Sequence, residues 1–206
     1  YDLTLQLAGG TAKADMLPIP ISDLHGDVFV HGIGKRTEVQ IDAIRGRLQE
    51  REGRAAQMAL VGIVKTYPAY AEDLTIVVRQ LELDPALGQA LEASGSITAG
   101  TWANLKPSGM VDVISHQART GDAAARLEHT VLMRDVRSDA EMLPQPATDV
   151  TGELEIRGGE LAFRSVRARL GSALVQCSAG RVGSTASGRT EVSMQLSAER
   201  FPDRKS

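Results

Sequence analysis

The stretch LPIPISDLHG at residues 17–26 recurs as LPQPATDVTG at residues 143–152. The match extends on both sides, because the first thirty residues lie over a stretch 126 positions further along with eight identities. Chance would give roughly two identities in thirty on average residue usage. A long self-similar period is typical of a modular array. The sequence therefore predicts a first repeat unit over residues 1–126 and a second, truncated unit over residues 127–206.

Besides Leu17 and Leu143, three residue types recur in the repeated stretch, and these three are typical of turns. Proline restricts φ and lacks an N–H, aspartate bonds to nearby backbone N–H groups, and glycine adopts positive φ. We therefore expect these residues to form turns that set the register of the flanking strands. The predicted turn residues are Pro18, Pro20, Asp23 and Gly26 in the first copy and Pro144, Pro146, Asp149 and Gly152 in the second.

Apolar and polar residues alternate along almost the whole chain, which is the pattern of strands that bury one face. Short runs end in turn-forming residues, and crossover helices between them are missing, so an antiparallel meander is favoured over a parallel sheet. The predicted fold class is all-β with one short helix. The apolar face must be covered either by a second sheet, as in a β-sandwich, or by curvature of one long sheet into a trough. Periodicity alone leaves both architectures open.

One short helix is predicted near residues 84–93. Asp84 suits the N-cap and Pro85 suits the first helical position. Leu87 and Leu91 then share a helix face. Residues 94–105, in contrast, alternate weakly and are predicted as a strand.

Composition excludes several classes of protein. Hydrophobic residues make up 42% of the chain and charged residues 24%, which is the balance of a folded protein. The net charge is −3 and aromatic residues make up 3%, so a nucleic-acid partner is not expected. No run of about 18 apolar residues occurs, so the sequence predicts no membrane-spanning helix. We expect the chain to be a segment of a longer protein, with any anchor outside it.

The sequence offers no constellation of acid, base and nucleophile, and it lacks a Gly-x-Ser-x-Gly elbow. The four histidines are His25, His31, His116 and His129, and none has metal-ligand spacing with other donors. Cys177 is the single cysteine, and its alternating apolar neighbours predict a buried thiol. We therefore predict a non-enzymatic protein without metal or cofactor.

The repeated Asp-(Leu/Val)-x-Gly pattern, followed by alternating strands and Gly-bearing hairpins, resembles the repeat region of the AsmA-like family (TamB- and YhdP-type envelope proteins of diderm bacteria). The segment from Asp149 to Ile156, the Gly158-Gly159 hairpin and the strand from Glu160 to Phe163 carry the resemblance. The segment from Asp73 to Leu87 also resembles the family's strand, Leu-x-Leu-Asp and short helix.

The resemblance implies an antiparallel sheet that curves into an open, repeat-built β-groove in the periplasm. Such a groove transports phospholipid for outer-membrane biogenesis and is tethered to the inner membrane, here by a segment outside this chain. The implied partners are phospholipid acyl chains, flanking repeats of the same longer chain and membrane proteins of the envelope. The predicted groove-lining residues are Leu3, Leu5, Leu7, Val28, Val30, Val39, Ile41, Met58, Leu60, Leu74, Ile76, Val78, Val131, Met133, Leu154, Ile156, Leu161 and Phe163. The alternative is a structural or adhesive secreted β-repeat scaffold without a ligand.

Overall fold

A computed structural model of the 206-residue chain describes residues 1–14, 17–51, 54–93, 97, 99–141, 143–158, 160–184 and 190–200. The strands are β1 (Asp2–Ala8), β2 (Thr11–Ala14), β3 (Leu17–Ile33), β4 (Arg36–Arg51), β5 (Arg54–Lys65), β6 (Ala71–Glu82), β7 (Pro107–Thr120), β8 (Arg126–Ser138), β9 (Ala147–Arg157), β10 (Glu160–Leu170), β11 (Ala173–Ser184) and β12 (Thr190–Arg200). The helices are α1 (Pro85–Ala93) and α2 (Thr101–Leu105).

The described strands form one sheet whose order follows the chain from β1 to β12. The one departure is β2, which pairs with β3 beyond the end of β1. Among the described residues this order does not close on itself, and strands β3 to β6 and β9 to β12 pair antiparallel with their neighbours. The predicted all-β class and antiparallel meander are therefore confirmed. The described strands do not form the two separate sheets of the sandwich alternative.

The chain divides into two compact units. The first comprises residues 1–81 and 112–129, and the second comprises residues 82–111 and 130–206. The predicted boundary between residues 126 and 127 concerns the sequence repeat and stays a prediction.

In the first unit, strand register places the alternating apolar residues on one face. Leu3 lies opposite Val30, Val30 lies opposite Val39, and Val39 lies opposite Val64. Residues directly opposite each other in antiparallel strands project from the same face of the sheet. A row of aliphatic side chains therefore crosses β1, β3, β4 and β5.

The core of the first unit occupies one end of these strands. Met58 lies opposite Val78, and Leu48 lies opposite Ala56. The buried apolar side chains of this unit are Ile19, Ile21, Ile44, Leu48, Ala56, Met58, Ile76, Val78 and Leu81. Burying a Leu or Ile side chain contributes about 1.5–3 kcal/mol, so this cluster holds the unit together.

In the second unit, too, strand register places apolar residues opposite one another on adjacent strands. Phe163 lies opposite Leu154, while Val166 lies opposite Cys177, which in turn lies opposite Leu196. The buried apolar residues of this unit are Leu87, Val111, Val136, Ala140, Ala147, Val150 and Cys177.

Helix α1 begins where the sequence predicts. The Asp84 Oδ1 atom accepts a hydrogen bond from the Leu87 N–H at 2.7 Å, and Pro85 is the first helical residue. The donor lies three positions after the acceptor, which is the geometry of an N-cap. The predicted cap and helix are therefore confirmed.

The strand predicted for residues 94–105 is wrong where the structure describes it, because residues 101–105 form α2. Gly100 and Lys106 have left-handed backbone angles at the two ends of this helix. The Trp102 ring lies against Gly88 of α1, and the backbone N–H of Trp102 donates to Glu92 Oε1 at 3.0 Å. These contacts with α1 override the weak local alternation. Residues 94–96 and 98 lie outside the described part of the chain.

Of the eight predicted turn residues, two in the second copy lie in a connection between strands and six lie inside strands. Pro144 and Pro146 lie in the connection between β8 and β9, where the Leu143 N–H donates to the Ala140 carbonyl oxygen at 3.0 Å. The residues that lie inside strands rather than in turns are Pro18, Pro20, Asp23 and Gly26 in β3 and Asp149 and Gly152 in β9. Asp23 and Asp149 have positive φ, which makes a local irregularity in each strand. The chain does not turn there, and β3 and β9 continue past these residues.

Candidate functional site: an open apolar face

Part of the apolar face in the first unit is accessible to solvent. Leu3 is 49% exposed and Leu5 is 48% exposed, which is high for leucines on the apolar side of a strand. The half-buried residues of the same face are Leu7, Val28, Val30, Val39, Ile41, Leu60, Val64 and Leu74. We call these ten residues the open face of the first unit.

Three predicted groove residues lie in the core instead. Met58, Ile76 and Val78 are 4%, 5% and 1% exposed. They share the face with the accessible residues, since Leu60 lies opposite Ile76 and Met58 lies opposite Val78. The apolar face is therefore continuous but divides into a closed end and an open end.

The second unit has its own partly accessible apolar residues. The predicted groove residues Val131, Met133, Leu154, Ile156, Leu161 and Phe163 are all half-buried. The sequence prediction omitted Met194 and Leu196 of β12, which are 49% and 60% exposed. Leu196 lies opposite Cys177 on the apolar face. Its alternation with polar neighbours was a signal that could have included it.

A bulge in each unit keeps the apolar face continuous. In β4 the pairing with β5 shifts between Ile41 and Ile44, and Ala43 between them has φ 51°. In β10 the pairing with β9 shifts after Arg164, and Ser165 has φ 50°. One extra residue in a strand changes the phase of alternation, so residues three apart project to the same side. The interruption of alternation at Ile41 and Ile44 was the sequence signal for this bulge.

The aspartates of the repeated stretch form ion pairs across the strands. Asp23 Oδ2 lies 3.6 Å from Arg47 Nε, and Asp149 Oδ2 lies 3.1 Å from Arg169 Nε. All four side chains are about half exposed, so each pair contributes at most about 1 kcal/mol. The two copies thus share a local ion pair on the polar side of the sheet.

The histidines contact neighbouring polar groups. His129 Nδ1 lies 2.8 Å from the Ser115 hydroxyl, and burial lowers the pKa of His129. His116 Nε2 lies 2.9 Å from Asp73 Oδ1, and His31 pairs with Asp2. Within the described ranges, no group of three or more His, Cys, Asp and Glu side chains could hold a metal ion.

A hydrogen-bonded cluster joins β6 to β7. Glu72 accepts hydrogen bonds from the Tyr70 hydroxyl at 2.6 Å and from Gln117 at 2.8 Å. The Tyr70 hydrogen bond, followed by that of Gln117, lowers the pKa of Glu72, and the bond to Glu72 raises the pKa of Tyr70. The Arg119 guanidinium lies 5.4 Å from the centre of the Tyr70 ring. These contacts fix the positions of adjacent strands.

Cys177 is 8% exposed and its thiol contacts the Ala179 carbonyl oxygen at 3.4 Å. It lies among the apolar residues of β11. The expected buried thiol is therefore present in the second unit.

No family model, curated protein or solved structure matches this chain. Neither helix in the described part of the chain has the length and apolar character needed to cross a bilayer. The candidate site consequently rests on the geometry of the sheet face.

Proposed function

We propose that this chain is a non-enzymatic segment of a periplasmic, AsmA-like envelope protein whose apolar sheet face carries phospholipid acyl chains. The proposed role is phospholipid transport in outer-membrane biogenesis. The periplasmic location and the family follow from the resemblance in the repeated stretch.

One observation carries the proposal. The row of Leu3, Val30, Val39 and Val64 crosses four adjacent strands, yet each of these side chains remains at least partly accessible. Contiguous accessible apolar surface marks sites of interaction with proteins, membranes or apolar ligands. An acyl chain lying along this row would lose contact with water, and each buried methylene contributes about 0.8 kcal/mol.

The side chains of the open face suit a ligand without a fixed shape. They are Leu, Ile and Val, which offer no hydrogen-bonding group to orient a ligand. The opposite side of the same strands carries a polar row, in which Gln6 lies opposite Asp27 and Asp27 lies opposite Asp42. This asymmetry supports an apolar ligand on one side and solvent on the other.

The test is photo-crosslinking at two neighbouring positions of β1. A benzophenone amino acid replaces Leu5, on the open face, or Gln6, on the polar row, in the full chain expressed in the periplasm of a diderm bacterium. We expect mass spectrometry to find phospholipid adducts at position 5 at least fivefold above position 6. Both side chains are exposed in the structure, so neither replacement disturbs the core.

The same experiment distinguishes the scaffold alternative. Equal adduct yields at the two positions, or a chain that is purified free of phospholipid and gives no adducts, would contradict lipid carriage. A scaffold without a ligand would then be the better interpretation.

A further inference from the structure

A second surface feature lies on the polar side of the first unit. An open depression of about 580 Å³ lies over β3 to β6. The charged side chains around it belong to Asp23, Arg45, Arg47 and Arg79, and His25 also lines it. It is separate from the open face, because its arginines and Gln57 project from the other side of the sheet.

Strand register brings the arginines together. Arg47 lies opposite Gln57, and Gln57 lies opposite Arg79, so the two arginines flank this glutamine on β4 and β6. Strands two apart are separated by about 10 Å. Arg45 lies two residues from Arg47 on the same side of β4, about 7 Å away. The next row continues from Arg45 to Ala59, whose small side chain leaves space above the sheet.

The positive charge of the depression exceeds its negative charge. Among the described residues, Asp23 is the one carboxylate that lines it, and it pairs with Arg47 at 3.6 Å. Neither Arg45 nor Arg79 forms an ion pair or side-chain hydrogen bond with any residue in the described part of the chain. Like charges this close repel one another across the surface, and an anion between them would relieve that repulsion.

The second unit lacks this excess of charge. Asp149, Arg167 and Arg169 occupy the places of Asp23, Arg45 and Arg47. The position of Arg79, two strands beyond the second arginine, holds Glu199, because Arg169 lies opposite Leu174 and Leu174 lies opposite Glu199. A basic depression is therefore a property of the first unit rather than of the repeat.

We propose that this depression binds a phosphate-bearing anion, a phosphate monoester or diester. Arg45 and Arg79 donate to the phosphate oxygens, and the Gln57 amide donates from the floor between Arg47 and Arg79. A guanidinium presents a planar fork of donors that matches phosphate oxygens. A carboxylate has two oxygens in one plane and is satisfied by one such fork, whereas a tetrahedral phosphate accepts donors from several directions. Donors on β4, β5 and β6 therefore favour phosphate.

The test is titration calorimetry with inorganic phosphate on the full chain at low ionic strength. Arg45→Gln with Arg79→Gln weakens binding roughly tenfold or more, and Arg79→Glu, which copies the charge found in the second unit, does the same. The matched control is Arg167→Gln with Arg181→Gln, two exposed arginines of the second unit that remove the same net charge. The control changes the affinity less than twofold.

Two outcomes overturn the inference. One is a wild-type chain that binds no phosphate, and the other is an equal loss of affinity in the control, which would reveal a non-specific effect of net charge. The exposed positions of Arg45 and Arg79 leave folding intact, and circular dichroism of each variant verifies this.

Vesicles identify the source of the phosphate. If the anion is a lipid headgroup, the wild-type chain sediments with vesicles that contain phosphatidic acid and the Arg45→Gln, Arg79→Gln variant does not. If it is a free phosphate ester, calorimetry separates the two proteins and sedimentation does not. The open face lies on the other side of the sheet, so loss of lipid crosslinking at Leu5 would leave this result unchanged.

Discussion

Gly26 lies so close to the backbone of Ile44 that a Cβ atom on the glycine would stand 2.8 Å from the Ile44 Cα. Gly152 has the same relationship to Val166, with the corresponding distance 2.7 Å. The φ angles of the two glycines are 147° and 136°, which L side chains rarely adopt. Each glycine lies against the bulge of the neighbouring strand, so in both copies a residue without a side chain allows the two backbones to approach closely.

Replacing Gly26 or Gly152 with alanine will destabilise the chain. Positive φ costs an alanine about 1–2 kcal/mol, and forcing a methyl group into a packed site costs about 1–3 kcal/mol more. We expect the midpoint of urea denaturation to fall in both variants. Gly34→Ala is the control, because Gly34 has φ 60° and nothing within 4 Å of its Cβ position. A loss as large in Gly34→Ala as in Gly26→Ala would contradict the steric argument.

Replacing Asp84 with alanine will weaken the start of α1. The substitution leaves the buried Leu87 N–H without its side-chain acceptor, at a cost of about 1–2 kcal/mol in the free energy of unfolding. Asp84→Ser keeps an N-cap oxygen and should lose less than half as much. Denaturant titration of the two variants measures the difference, and equal losses would show that Asp84 does not act as a cap.

Gly88→Ala will displace the Trp102 ring. Alanine stabilises an exposed helix position by about 1 kcal/mol over glycine, but here its Cβ overlaps the indole. Trp102 is the single tryptophan of the chain, so its fluorescence reports the environment of this one ring. We expect the emission maximum to shift to longer wavelength and the variant to be less stable. Gln89→Ala, at an exposed position of the same helix, should change neither property.

The stability of the chain will depend on the protonation of His129. Burial lowers the pKa of His129 in the folded chain below its ordinary value of about 6.5. The unfolded chain therefore binds the proton more readily, so this contribution to stability is complete above pH 6.5 and is lost as the pH falls through the folded pKa. His129→Gln should flatten the decline in the free energy of unfolding between pH 6.5 and 5. An unchanged slope would assign the decline to other groups.

The fold class was predictable from sequence because its cause is local. Alternation in residues such as Leu3, Leu5 and Leu7 reflects the two-residue period of a strand, and short connections leave neighbouring strands antiparallel. The start of α1 was predictable for the same reason, since Asp84 acts on an N–H three residues away. Helix α2 was missed because it depends on the contact between Trp102 and Gly88, more than ten residues apart in sequence.

The candidate site was predicted as a set of residues but not as a surface. The alternation correctly placed Val30 and Val39 on one face of the sheet. It could not distinguish them from Val78, which has the same pattern and is buried. Burial depends on which other residues cover the face of a strand, and these residues can be distant in sequence, so a local pattern does not predict it.

Local residue patterns thus specified strands, their apolar sides and the first helix, because each depends on neighbours within a few positions. Tertiary structure decided three further properties. These are the end of the apolar face that is accessible to solvent, the positions of the bulges that keep this face continuous, and the arginines that lie on nearby strands around the depression. Arg47 and Arg79 are 32 residues apart in sequence and become neighbours across Gln57 only through the register of three strands. Register is set by pairing and packing along whole strands, so it emerges only when the sheet has formed.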